Sequence, residues 1–317
     1  MKILYAAGNT TSSLFQLARF SNHFNTNDTI KIAAYKKSSP KNLSIDWTLD
    51  FLLNPFKKDL LSLNDNENCS IYFNLIKSYK PDLIISDLEI FTSLIGIDLN
   101  IPVIQCSSSL LSFALEFKYL YHIGMNKYNY LFLNEHENSR LLNIILNSNA
   151  NYVYSHFGDI ENSPNLKFGF NWISPYHSLG KISTIYEHEI VGINNCNDLN
   201  IINLISGTDD CVLFSKETNS KFENIQIKNI EEEKEYSCNV ANAKKIICEA
   251  NSTFLADAFY NNKKPIYSNH PFEYDVVLNG LCSSYLKTAY SIDEAKETCN
   301  FNLKNCVRKN PYLHEIL

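Results

Sequence analysis

Residues 245–279 bring together the side chains best suited to chemistry in this chain. An apolar run, Ile246-Ile247-Cys248, leads into a polar turn, Glu249-Ala250-Asn251-Ser252-Thr253, and a helical pattern follows to about Tyr260. A strand, a small-residue turn and a helix start make an anion site, because free backbone N–H groups and the positive helix end converge there. Pro265 and Ile266 open a second strand, which ends in a polar loop from Ser268 to Asp275. An acid in that loop, Asp275, grips a sugar ring through its hydroxyls, and His270 lies in the same loop. Glu249, at the first strand's end, is a further candidate contact. The chemistry this suits is binding of a phosphorylated sugar. The plainer reading makes Ser252 and Thr253 helix caps and Asp275 a solvated loop residue.

Asp87 and Glu89 form a second group. They follow the apolar run Leu83-Ile84-Ile85-Ser86 and precede a helical pattern over 90–99. A carboxylate placed there takes a proton from a bound hydroxyl, or else merely caps the helix. Gly8, Asn9 and Thr10 follow the first apolar run, and Ser107 follows Pro102–Gln105. All fall at the C-terminal ends of strands, where sheets of alternating strands and helices bind ligands.

Positioning these groups requires such a sheet. Strands are expected at 1–7, 29–35, 82–86 and 102–105, with helices at 71–79 and 90–99 between them. Alternation of this kind favours a parallel sheet covered by helices on both faces. A late strand at 152–154 precedes a Pro- and Asn-rich crossing, so a linker is expected near 165–180. Strands near 189–193, 211–215 and 225–227 then lead into the 245–279 segment. At 317 residues, two domains of about 150 residues are the natural division. The acidic run Glu231–Glu235 reads as a solvated loop. Between Ser108 and Tyr130 the chain is aromatic, which fits a core helix with an aromatic loop, or a wall for a lipid-linked or base-containing acceptor.

The 245–279 segment resembles the donor-binding region of GT-B glycosyltransferases, especially the family 28-like branch that includes MurG. Thr253 matches the motif threonine, Asp257-Ala258 the acidic-Ala pair one residue late, and Pro265 the following proline. Pro271, Asp275 and Asn279 match the last group at the family spacing. Ala250-Asn251 replaces the paired glycines, and Val276 stands where Gln is usual. The run Pro81–Gln105 is similar to the PDLVISD…LGIPVI stretch of the acceptor domain. No His is present in the first loop, where Ser12 and Ser13 stand.

That resemblance implies a GT-B α/β fold: two Rossmann-like doubly wound domains facing across a cleft. Residues 1–165 would bind acceptor through Gly8, Asn9, Thr10 and Ser107, with Asp87 or Glu89 catalytic. Residues 166–302 would bind a nucleoside diphosphate sugar through Glu249, Asn251, Ser252, Thr253, His270, Asp275 and Asn279, and a C-terminal helix or tail would occupy 303–317. The implied reaction is inverting transfer from a UDP-linked sugar, with no cofactor and no metal. The acceptor is open: a small molecule, a lipid-linked precursor, or a hydroxylated pyrimidine in DNA, as in a phage-type enzyme. A nucleotide-sugar hydrolase or epimerase, or a non-catalytic sugar-nucleotide binder, would share the fold.

Composition narrows these readings. Residues 1–150 carry 13 Lys/Arg and 13 Asp/Glu, against 15 and 21 in the remainder, so no long basic stripe offers itself to DNA. No stretch approaches the roughly 20 apolar residues of a membrane span. The opening MKILYAAGN reads as a first buried strand rather than a signal peptide, which points to the cytoplasm. Nine scattered cysteines without CxxC spacing point to reduced, mostly buried thiols. Oligomeric state is left open.

Overall fold

The computed structural model describes residues 1–8, 16, 17, 19, 27–35, 44–49, 67–116, 118–119, 135–175, 188–193, 201, 202, 205, 210–215, 225–249, 251–268, 277, 278 and 280–291. Within them the short apolar runs become strands buried on both faces, as a helix-covered parallel sheet requires. The first sheet contains β1 (Lys2–Ala6), β2 (Thr29–Ala34), β3 (Trp47–Thr48), β4 (Leu83–Ser86), β5 (Val103–Cys106), β6 (Ala150–Tyr154) and β7 (Phe170–Ile173). Their order is β3-β2-β1-β4-β5-β6-β7, and the pairs from β3 through β6 are parallel. Strand order reverses direction between β1 and β4, so this sheet has its switch point there.

Among the described residues, α1 (Glu67–Tyr79), α2 (Ile90–Asp98) and α3 (Glu135–Asn147) accompany this sheet, with one further helical turn at Leu111–Ala114. Helix α2 lies directly on β4 and β5, because Gly96 presents no side chain. A Cβ added there would meet Val103 Cγ2 at 2.6 Å and Ile84 Cδ1 at 2.7 Å. Around this contact Leu4, Ala33, Tyr72, Ile76, Ile84, Ile95 and Val103 form one buried cluster.

The second sheet contains β8 (Ile190–Ile193), β9 (Cys211–Ser215), β10 (Gln226–Asn229), β11 (Lys245–Glu249), β12 (Ile266–Ser268) and β13 (Tyr290–Ser291). All its pairs are parallel, in the order β10-β9-β8-β11-β12-β13, with the switch point between β8 and β11. Helices α4 (Glu233–Asn242) and α5 (Ser252–Tyr260) precede and follow β11. Ile190, Ile201, Ile205, Leu213 and Ile247 form a core cluster.

Met1–Ala114, Leu131–Val153 and Leu166–Trp172 form one compact unit, and Leu115–Tyr130, Tyr154–Asn165 and Ile173–Leu317 the other. The acidic run is not a loop throughout: Glu233 and Glu235 begin α4, where their charge complements the positive helix end. Strand β7 lies inside the stretch expected as a linker. In the aromatic stretch Tyr119 is buried, and its hydroxyl accepts from the Asn165 N–H at 3.1 Å. The helix expected near 303–316 lies outside the described residues.

Candidate functional site

In the first unit, Asp87 stands at the switch point. Its backbone N–H donates to the Ala6 carbonyl at 2.9 Å, which fixes it beside the end of β1 and the following Ala7-Gly8. The residue is buried, and its charge adds to burial in pushing the neighbouring Cys106 thiol far above its ordinary range. A buried carboxylate at a strand end has the chemistry of a general base.

Glu89 does something else. It is the N-cap of α2, and its Oε1 and Oε2 accept from the N–H groups of Phe91 at 3.2 Å and Thr92 at 2.7 Å. Burial raises its carboxyl above the usual carboxylate range, and the bonds from Thr92 and Phe91 partly offset this. Both oxygens serve the helix start, so the base reading passes to Asp87. Ser107 is also a cap: its Oγ accepts from the Ser109 N–H at 3.2 Å, and its own N–H donates to the Tyr152 carbonyl.

Between the two acids the backbone is strained. Leu88 has φ 49°, the left-handed region that costs a non-glycine residue about 1–2 kcal/mol. Its side chain packs against Ile90, Leu141 and Ile144. Ser86 closes the turn from the other side. The Ser86 Oγ accepts the Glu89 N–H at 2.9 Å, while the Ser93 hydroxyl lies 2.9 Å from it and 2.7 Å from the Glu89 carbonyl. Gln105, opposite Ser86 in the sheet, donates from Nε2 to Ser93 at 3.1 Å and to Ser148 at 3.2 Å.

In the second unit, β11 ends at Glu249, and α5 begins three residues later at the switch point. Asn251 is the N-cap, extended at φ −125° and ψ 154°, with its Oδ1 accepting from the Phe254 N–H at 3.0 Å. The cap sits one residue before the serine and threonine expected to cap, so neither of them is the N-cap. Ser252 and Thr253 are buried in the first turn, and Ser252 Oγ has no hydrogen-bond partner among the described residues. An α-helix leaves its first N–H groups without intrahelical acceptors. These groups, the helix dipole and the Ser252 hydroxyl together suit an anion.

The strand ends around α5 are polar: Ser215 on β9, Asn229 on β10, Glu249 on β11 and Ser268 on β12, with Glu249 and Ser268 register partners. Asp257 is turned away from such service. It is fully buried and accepts a hydrogen bond from Tyr236 of α4 at 2.8 Å. Asn9, Thr10, His270, Asp275 and Asn279 lie outside the described residues. Sequence reasoning missed Ser86, Leu88, Ser93 and Gln105; the pattern Ser-x-x-Glu at 86–89 is the one signal that could have pointed to them.

His156 behaves as a core residue, as lone histidines usually do. It is buried against Phe157 and Phe259, its Nε2 lies 3.2 Å from Thr288 Oγ1, and burial pushes its pKa down to about 3. All six described cysteines are free thiols, five of them buried. Among the described residues no three His, Cys, Asp or Glu side chains cluster as metal ligands, and no helix is long and apolar enough to cross a membrane.

No family model matches this chain, and no curated protein does. Solved structures do. The spinosyn forosaminyltransferase SpnP is 12% identical with a TM-score of 0.57, over 93% of this chain and 86% of that one. The glycosyltransferase SsfS6 of Streptomyces sp. SF2575 is 11% identical with a TM-score of 0.57, over 94% and 90%. UGT2 of Phytolacca americana, solved with UDP-2-fluoro-glucose and pterostilbene, is 12% identical with a TM-score of 0.54, over 97% and 87%. The chain therefore has the GT-B fold, two Rossmann-like α/β units.

Proposed function

We propose that this chain, built on the GT-B fold, is an enzyme that moves a sugar from a nucleoside diphosphate, UDP-linked in our reading, to an acceptor hydroxyl. The observation that carries the proposal is the start of α5 at the second sheet's switch point, with the buried Ser252 hydroxyl unpartnered among the described residues. The diphosphate lies at that helix start, and Ser252 and Thr253 donate to its oxygens. Charge that develops on the leaving diphosphate is met by backbone N–H groups and hydroxyls. Glu249, His270, Asp275 and Asn279 hold the sugar and ribose hydroxyls.

Asp87 takes the acceptor proton as the acceptor oxygen bonds to the sugar's anomeric carbon. The bond from that carbon to the phosphate oxygen breaks, and the nucleoside diphosphate leaves with the electron pair. A single displacement of this kind inverts the anomeric centre. Domain roles follow the same reading, with residues 1–165 serving the acceptor and 166–302 the donor. A small hydroxylated acceptor is favoured over a base in DNA, because similar structures are solved with pterostilbene and with spinosyn aglycone.

Calorimetry with UDP, TDP and their glucose conjugates tests the donor site. Release of nucleoside diphosphate from a bound conjugate, with a panel of phenolic and alicyclic alcohols, tests transfer. Binding without release in every combination would make the chain a sugar-nucleotide binder, and release dependent on water alone a hydrolase. Product NMR showing retained anomeric configuration would remove the single-displacement step.

A further inference from the structure

Two opposed anchors hold the turn that carries Asp87. On one side, Ser86 Oγ accepts the Glu89 N–H and donates to the Glu89 carbonyl at 3.2 Å. Ser93 braces both groups, and Gln105 braces Ser93 from β5. On the other, the Leu88 side chain is seated against Ile90, Leu141 and Ile144. Leu88 is thereby kept at φ 49°, a conformation that glycine would adopt without strain. A turn that only joined β4 to α2 would gain from glycine at this position and from a neutral residue at position 87. Strain held in place from two sides, beside a buried acid at a sheet's switch point, marks preorganisation of that acid.

We infer that Ser86 and Leu88 are positioning residues for the Asp87 base: the Ser86–Glu89–Ser93 lock and the Leu88 anchor together fix its carboxylate for the acceptor hydroxyl. This rests on the sugar-transfer reading above. Neither residue touches substrate. Each acts through the direction in which the backbone delivers Asp87, where a misplacement of about 1 Å costs up to about a hundredfold in rate.

A double-mutant cycle separates this role from simple support of the fold. Nucleoside diphosphate release is followed with the donor and acceptor that the wild-type chain uses, in S86A, S86T, L88G and D87N, and in S86A and L88G combined with D87N. Expected are losses in kcat of about 10- to 100-fold for S86A and L88G, with the Kd for UDP within about twofold of wild type. S86T, which keeps the hydroxyl, recovers most of the rate. In the D87N background, S86A and L88G each cost less than about twofold, since the group they position is gone. If they cost the same factor with and without Asp87, or leave kcat unchanged, the positioning role is overturned while sugar transfer stands. L88G retains the Ser86 lock, so it carries the cycle even if S86A fails to fold. A wild-type chain that releases no diphosphate from any bound conjugate overturns sugar transfer and the positioning role with it.

Discussion

The Tyr236 hydroxyl donates a 2.8 Å hydrogen bond to the Asp257 carboxylate, and both residues are buried. The bond ties α4 to α5. Asp257 is also the acidic residue that the glycosyltransferase pattern would offer to the donor, one place late. The structure gives it to Tyr236 instead. Removing the hydroxyl leaves part of a buried charge unmet, which costs about 1–3 kcal/mol. Tyr236→Phe is therefore expected to lower stability by that amount in urea unfolding. Asp257→Asn should leave the Kd for UDP within about twofold; a loss of tenfold or more would place Asp257 at the donor site.

His156 sets a pH dependence whose direction follows from its environment. Burial lowers its folded pKa to about 3 from an ordinary 6.5. Between those values the unfolded chain binds the proton and the folded chain does not, so folding stability falls as pH drops from about 6.5 toward 3. The full loss is as large as about 5 kcal/mol. Glu89 runs the other way: its folded pKa is raised, so its contribution is largest at low pH and is lost as pH rises through that value. Urea midpoints of wild type and His156→Phe, measured from pH 7 to pH 4, isolate the first effect. The wild-type curve should fall more steeply with acid than the variant's, and parallel curves would refute the assignment.

Strands with unbroken apolar runs were legible in the sequence because burial on both faces leaves no other pattern. Leu83–Ser86, Val103–Cys106 and Cys211–Ser215 all stand within a residue or so of expectation. Helix α3 and the short strands β3, β7 and β13 were not. Two-residue β3 and β13 carry too little pattern, and β7 is hidden in a Pro- and Asn-rich stretch because an edge strand needs few apolar residues. At the candidate site, residue types were legible and their division of labour was not. The sequence places the helix at 90–99 and leaves open whether an acid before it caps the helix or takes a proton. The structure starts the helix at Ile90, gives the cap to Glu89, and sets the two acids apart through the left-handed Leu88 between them. Backbone strain of that kind has no composition signature in a leucine.

Gly96 holds α2 against the sheet and thereby sets where the Asp87 turn begins. A methyl group there would overlap Val103 and Ile84, both in the core between β4 and β5. Overpacking of this kind costs about 1–3 kcal/mol, against a small gain from alanine's helix propensity. Gly96→Ala is expected to lower the urea midpoint by an amount in that range. No change in the midpoint would mean that the helix sits farther from the sheet than 2.6 Å contacts imply.

Ser252 offers a test in which function and stability move in opposite directions. Its hydroxyl is buried without a partner among the described residues, a cost that a ligand at this helix start would offset. Replacing a buried, unbonded hydroxyl by hydrogen removes a desolvation penalty, so Ser252→Ala should raise the stability of the ligand-free chain by about 1 kcal/mol. The same change deletes a donor to the diphosphate. A hydrogen bond to a charged group is worth about 1.5–3 kcal/mol, so the Kd for UDP should weaken by about tenfold or more. Thermal unfolding without ligand and calorimetry with UDP read the two effects separately. A variant with both lower stability and unchanged UDP affinity would show a hydroxyl that supports the fold rather than the phosphate, and would move the anion site away from α5.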